Sequence, residues 1–181
     1  MQKRIASLAL FILVVASLCL AQARPSPAAS ATCDLGGGKS IKTDYSSPRM
    51  KERKIYGDLV PYGQVWRTGA NEATTFVASE DVTVGGEHVP AGSYTIFTVP
   101  NADSWKLIIN KKTGEWGIPY KYESDELGRV NVKVSKLPSP VEDFTISYEK
   151  TKNGCMMHID WDTTRASVDI VGGTVGDKMR P

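Results

Sequence analysis

Between Val60 and Glu72 the chain reads VPYGQVWRTGANE, where proline and glycine set the backbone and Trp66, Arg67, Asn71 and Glu72 carry more chemistry than a connection requires. A guanidinium offers forked donors that fit a carboxylate, phosphate or sulfate in bidentate fashion, and Arg49 and Arg53 stand nearby in the sequence to add two more. Two arrangements are open. If Thr68-Gly69-Ala70-Asn71 reverses the chain, Arg67 and Glu72 face each other as a structural clamp, with Asn71 bonding local backbone. Alternatively Arg67, Asn71 and Glu72, walled by Trp66 and joined by Arg49 and Arg53, form the polar end of a ligand pocket. Trp116 and Tyr120, in a Gly- and Pro-containing loop, add aromatic faces suited to stacking on a sugar ring or to packing. Trp105 and Trp161 fall in phase with apolar rows and read as core.

His158, Asp160 and Asp162 recur at a spacing of two, which places them on one face of a strand. Imidazole and carboxylates so placed could bind a metal or shuttle a proton. A solvated sheet face shows the same alternation, and that is how the segment reads. The chain has no G-x-S-x-G elbow, CxxC pair, HExxH or phosphate loop, and its two histidines leave few general bases. No cofactor and no metal site is assigned.

The elements that must hold these residues are strands. From Ile41 onward the hydrophobic period is two, with turn residues at short intervals. Val130, Val132 and Val134 form one apolar row; Phe144, Ile146 and Tyr148 form the next; Met157, Ile159 and Trp161, then Ala166, Val168 and Ile170, complete the series. Asn153-Gly154 predicts a two-residue type I′ hairpin, and Gly85-Gly86 predicts another between Val82–Val84 and Glu87–Val89. Tyr94 and Ile96 face opposite to Phe97 and Val99. One helical turn fits within Tyr120 to Gly128. About nine strands without an amphipathic helix must cover their faces with another sheet, so the expected class is all-β, an antiparallel, jelly-roll-like sandwich.

Several blocks resemble one family in order along the chain. Ser47-Pro48-Arg49, Arg53-Lys54-Ile55-Tyr56-Gly57, the Val60 to Glu72 run, PAGSYTIFTVP from Pro90 to Pro100, Trp105, Asn110 and Trp116-Gly117 are similar to the blocks of secreted bacterial proteins catalogued as domain of unknown function 2911. The resemblance runs from about Ile41 to Ile170. Glu52 stands where that family usually has glycine. The family carries no established reaction, so the resemblance implies a fold and a compartment but no chemistry.

Residues 1–23 read as an export signal: Lys3 and Arg4, an apolar stretch from Ile5 to Leu20, and Ala21-Gln22-Ala23 as cleavage site. Removing Lys3 and Arg4 leaves 20 basic against 20 acidic residues, a formal charge of zero, which gives no reason to expect nucleic acid or an anionic membrane as partner. No later segment is long enough to span a membrane as a helix. Residues 24–39, rich in Pro, Ala, Ser and Gly, read as a flexible lead; 40–172 as one domain; 173–181 as a tail. An oxidising compartment permits Cys33 and Cys155 to pair, although spacing alone does not place their sulfurs together. Lipid attachment at Cys19 or Cys33 is the rival, opposed by Leu18 and Thr32 where a small residue is needed.

The sequence thus describes a secreted or periplasmic β-sandwich. It binds a small molecule, glycan or envelope component without transforming it, through Arg49, Arg53, Trp66, Arg67, Asn71, Glu72, Trp116 and Tyr120. Two alternatives stand beside this: a structural or interaction module with no pocket, and a hydrolase-type enzyme using Glu72 or Asp160 with a histidine.

Overall fold

Alternation of β-branched and aromatic residues with polar ones builds nine strands: β1 (Ala28–Gly36), β2 (Lys39–Ser46), β3 (Thr75–Ala78), β4 (Val82–Val84), β5 (Glu87–Val89), β6 (Gly92–Val99), β7 (Trp105–Asn110), β8 (Glu126–Lys150) and β9 (Gly154–Gly172). A computed structural model describes residues 26–173. The strands join in one antiparallel sheet ordered β1-β2-β3-β6-β7-β8-β9-β4-β5. The all-β, antiparallel, nine-strand expectation therefore holds. Its facing layers belong to a single hydrogen-bonded sheet.

The layering comes from two long strands that bend. β8 pairs with β7 up to Val132 and with β9 from Lys133 to Lys150. Pro138 and Pro140 have no N–H to give to a ladder, and the register slips beside them: Lys136 faces Thr164, Val141 faces Asp162 and Thr145 faces Asp160. Asp162 takes a positive φ of 52° at the same corner. The sheet folds over there, so that β2 faces the far half of β8. Thr43 Oγ1 lies 2.6 Å from the Tyr148 hydroxyl, the Tyr45 hydroxyl donates to the Ile146 carbonyl at 3.3 Å, and Ser47 Oγ donates to that of Phe144 at 2.7 Å.

The apolar rows read from the sequence meet between these layers. Val130, Val132, Phe144, Ile146, Met157, Ile159, Trp161, Ala166, Val168 and Ile170 are all buried, each contributing about 1.5–3 kcal/mol for the larger side chains. Tyr56, Trp66, Trp105, Phe144 and Trp161 form an aromatic cluster whose ring centroids stand 5.0–6.5 Å apart. β6 is covered on both faces, as its sequence predicts. Tyr94 and Ile96 join the main core, while Phe97 packs with Ala73 and Ile108 beneath Tyr120 and Tyr122.

Four local expectations need correction or comment. Residues 28–36 are not a flexible lead but strand β1, paired along β2 from Ala28 opposite Ser46 to Gly36 opposite Lys39. A polar edge strand needs little apolar area of its own when its neighbour supplies the ladder, and Cys33 anchors it by a disulfide to Cys155. Gly36, Gly37 and Gly38 are the turn into β2, all with positive φ. Gly85-Gly86 forms the expected hairpin with φ of 54° and 94°. The β8–β9 hairpin lies where Asn153-Gly154 predicts it, but neither residue takes the positive φ of a type I′ turn; Thr151 N instead bonds Gly154 O at 3.0 Å in a longer turn. The helical turn expected after Tyr120 is a short 3-10 turn, Glu123–Asp125.

Residues 1–23, which the sequence reads as an export signal, and residues 174–181 of the tail lie outside the described residues. Among the described residues, no helix is long and apolar enough to cross a membrane. Glu52, the departure from the resembling family's glycine, has a φ of 57° and follows Lys51 at 50°. Left-handed backbone is costly for a side chain with a Cβ. Glu52→Gly is therefore expected to stabilise the protein by about 0.5–1 kcal/mol, read as a rise in the urea midpoint at unchanged slope.

An arginine-lined cavity at the signature loop

The Val60 to Glu72 run lies along the end of β6. Trp66 exchanges backbone hydrogen bonds with Thr98 at 2.7 and 2.9 Å, and Gly63 N bonds Pro100 O at 2.8 Å. Beyond Trp66 the chain turns tightly: Thr68, Gly69 and Asn71 all have positive φ. Such a conformation persists only where its surroundings over-determine it, and here they do. Buried Thr68 lies 3.1 Å from Thr98 Oγ1 and accepts from Thr74 Oγ1 at 2.6 Å, while Trp66 Nε1 donates to Gly69 O at 3.0 Å. A Cβ on Gly69 would stand 2.9 Å from the Ser46 carbonyl oxygen, so only glycine fits.

This turn, the 48–53 segment and Ile118 enclose a cavity of about 370 Å³. Five of the residues assigned to a pocket from the sequence line it: Arg49, Arg53, Trp66, Arg67 and Asn71. Three do not. Glu72 is exposed beside the cavity, Trp116 is 57% exposed and lays its ring against the Arg67 guanidinium at 5.3 Å, and Tyr120 lines an adjoining hollow. That hollow, about 460 Å³, shares Leu59, Val60, Trp66 and Ile118 with the first.

Arg67 donates to the carbonyls of Asn71 and, at 3.2 Å, Trp116. Burial disfavours its charged form and pulls its pKa down. Asn71 bonds Ser26 O and Ser46 Oγ, both at 3.0 Å, tying the turn to the strand edge instead of to its own loop. Arg53 donates to the carbonyls of Met50 and Arg49 at 3.0 and 2.6 Å. Arg49 pairs with Asp143 at 2.7 Å. Of the four cations lining the cavity, Arg49, Lys51, Arg53 and Arg67, only Arg49 has a carboxylate partner among the described residues, and no carboxylate lines it. Unpaired guanidinium and ammonium groups around an aromatic wall can hold an anion.

Tyr120 and Tyr122 are packing residues. Tyr120 stands 4.8 Å from Phe97, donates to Glu126 at 2.6 Å, and accepts from Asn110, whose buried amide also bonds Tyr122 O. Gly117 is required because a Cβ there would meet Ala73 at 2.9 Å and Arg67 at 3.1 Å. The Trp116-Gly117 pair thus docks its loop directly on Arg67.

Sequence reasoning missed Lys51, Leu59, Ile118 and Trp161 as lining residues. Lys51 carries a signal in hindsight, since it lies between two arginines already singled out. Trp161 carries none: its phase marks it as core, it is buried, and it still borders the cavity. The second cluster is corrected more strongly. His158 and Asp160 are buried, not on a solvated face, because the bend of β8 and β9 closes over them. Asp160 accepts both forks of Arg165 at 2.8 and 2.6 Å. Among the described residues no group of three His, Cys, Asp or Glu could hold a metal ion.

Fold and site together define an all-β protein whose one bent antiparallel sheet carries a cation-lined cavity beside its sixth strand. The chain belongs to the family described as protein of unknown function (DUF2911), whose model matches residues 26–170. No curated protein and no solved structure matches it.

Proposed function

We propose that the protein is an exported binding module whose ligand, a small anion with an apolar portion, is held at the arginine-lined cavity without being transformed there. The observation that carries this reading is the lining itself: four cations, no carboxylate, and an apolar wall of Val60, Trp66 and Trp161. A headgroup such as carboxylate or phosphate supplies the charge partner that Arg53 and Arg67 lack among the described residues. The adjoining hollow, reached across the half-exposed Leu59 and Ile118, gives a hydrocarbon or aromatic tail somewhere to lie. Export rests on the signal-like residues 1–23, and the disulfide supports an oxidising compartment.

The test uses octanoate, octanol and inorganic phosphate in thermal melts, since a ligand of the folded form raises the melting temperature. Octanoate is expected to shift the melt in a concentration-dependent way and octanol to leave it unmoved. Phosphate, with a head and no tail, is expected to shift it less. Arg53→Met, on an exposed side chain, should weaken octanoate at least about tenfold, as should Arg67→Met, because hydrogen bonds to charged groups contribute about 1.5–3 kcal/mol. Equal shifts by octanoate and octanol, or wild-type octanoate affinity in both variants, would remove the cavity from the account. A structural module with no ligand would give no shift with any probe.

A further inference from the structure

The bend in β8 and β9 makes a second concavity, separate from the arginine cavity and independent of the binding role argued for it. Its volume is about 570 Å³, and its lining includes Asn131, Lys133, Glu149, His158, Arg165 and Ser167. His158 and Ser167 are nine positions apart on one strand, too far to touch if β9 ran straight. Because β9 turns at Asp162, His158 Nδ1 instead lies 2.8 Å from Ser167 Oγ. On the other side of the ring, Nε2 lies 3.2 Å from Glu149 Oε2. The Arg165 to Asp160 pair, doubly bonded across the same bend, holds its two arms together.

The protonation pattern follows from the partners. A carboxylate accepts only, so neutral His158 donates Nε2–H to Glu149 and leaves the Nδ1 lone pair to accept the Ser167 hydroxyl proton. A hydroxyl hydrogen-bonded to a base that a carboxylate orients is an activated nucleophile. Lys133 stands directly opposite Ser167 in the β8–β9 ladder, and such cross-strand Cβ atoms lie about 5 Å apart. Its ammonium can therefore reach an oxygen on a carbon bonded to Ser167 Oγ, and Asn131 lines the same concavity.

We propose that this concavity is a nucleophilic site that hydrolyses small carboxylic esters, with Ser167 as nucleophile, His158 as general base and acid, and Glu149 as the residue that positions the ring. Ser167 Oγ bonds the ester carbonyl carbon as its proton passes to His158 Nδ1, and Lys133 takes the developing oxyanion. The carbon to alkoxide bond then breaks, and the alcohol leaves with the proton from Nδ1. Water, deprotonated by His158, attacks the acyl carbon. The acid departs, and Ser167 Oγ recovers its proton.

Two probes test this on the disulfide-intact mature protein: phenylmethylsulfonyl fluoride, followed by peptide mass analysis, and p-nitrophenyl acetate turnover. The expected result is one sulfonyl adduct per chain at Ser167, absent from Ser167→Ala, with ester turnover lost in Ser167→Ala and reduced at least about a hundredfold in His158→Gln. Glu149→Gln, at an exposed side chain, should lower kcat by less than His158→Gln while leaving KM and the melting curve unchanged. An unmodified wild-type chain, an adduct that persists in Ser167→Ala, or equal turnover in wild type and Ser167→Ala would overturn the proposal. If His158→Gln does not fold, Ser167→Cys carries the test. Its thiol should react with iodoacetamide faster than free cysteine at neutral pH, and an equal rate overturns the base role.

Discussion

Replacing both Cys33 and Cys155 with serine is expected to lower the unfolding free energy by about 4 to 5 kcal/mol, a large share of the roughly 5–15 kcal/mol that holds an ordinary domain folded. The two cysteines stand 122 positions apart, so their bond removes a very large set of open conformations from the unfolded chain. The folded state has a local stake as well. β1 sits at the end of the sheet order, pairs with β2 alone, and carries one buried apolar side chain, Cys33 itself. Without the bridge to β9 it keeps its ladder to β2 and the partly buried packing of Ala29, Ala31 and Leu35 against the main core. Two readouts therefore separate the effects: the urea midpoint reports the global loss, and amide exchange across Ala28–Gly36 reports fraying of that strand under native conditions. A double variant that unfolds at the native midpoint, with β1 still protected, would show the disulfide to be dispensable.

Gly154→Ala is expected to be nearly as damaging, at about 3 kcal/mol or more, for a different reason. Gly154 opens β9, and the strand curls so far that its own end returns to its beginning: Gly172 N bonds Asn153 O at 3.1 Å. A Cβ on Gly154 would lie 2.0 Å from the Ile170 carbonyl oxygen. That atom is backbone, and Ile170 is itself paired with Val84 of β4, so it cannot swing aside as a side-chain tip would. The cost is steric, since Gly154 does not use a positive φ. Gly37→Ala is the control. Gly37 has φ +62° and nothing within 4 Å of the added carbon, so it should lose only about 1 kcal/mol. If the two substitutions destabilise equally, close approach is not what keeps glycine at 154.

The candidate sites were legible to different depths. Arg49, Arg53, Trp66, Arg67 and Asn71 could be gathered from the sequence because local chemistry flags them: cations beside an aromatic in a run crowded with glycine and proline. Asn71 reaches out to Ser26 and Ser46 instead of closing its own loop, a contact that nothing within the run signals. Ser167 and Glu149 carried no signal, because a serine and a glutamate on alternating strands are what any polar sheet face displays. His158 and Asp160 stand out by residue type, but their period-two spacing marks a solvated face. Their burial depends on a corner whose position is written in Pro138 and Pro140, which lie on the neighbouring strand.

The amino-acid sequence alone determines that this chain forms strands, which side of each is dry, and where most of them turn. Those properties follow from the two-residue side-chain period, β-branched stiffness and turn chemistry, all of which act over a few residues. Tertiary structure decides the rest. It joins the strands into one sheet, bends β8 and β9 so that positions nine apart meet, recruits residues 28–36 as an edge strand, and brings segments 48–53, 66–71 and 118 around one cavity. The physical reason is that register slips and closure depend on steric and hydrogen-bond terms between segments distant in the chain, and a local pattern records only one side of each such contact.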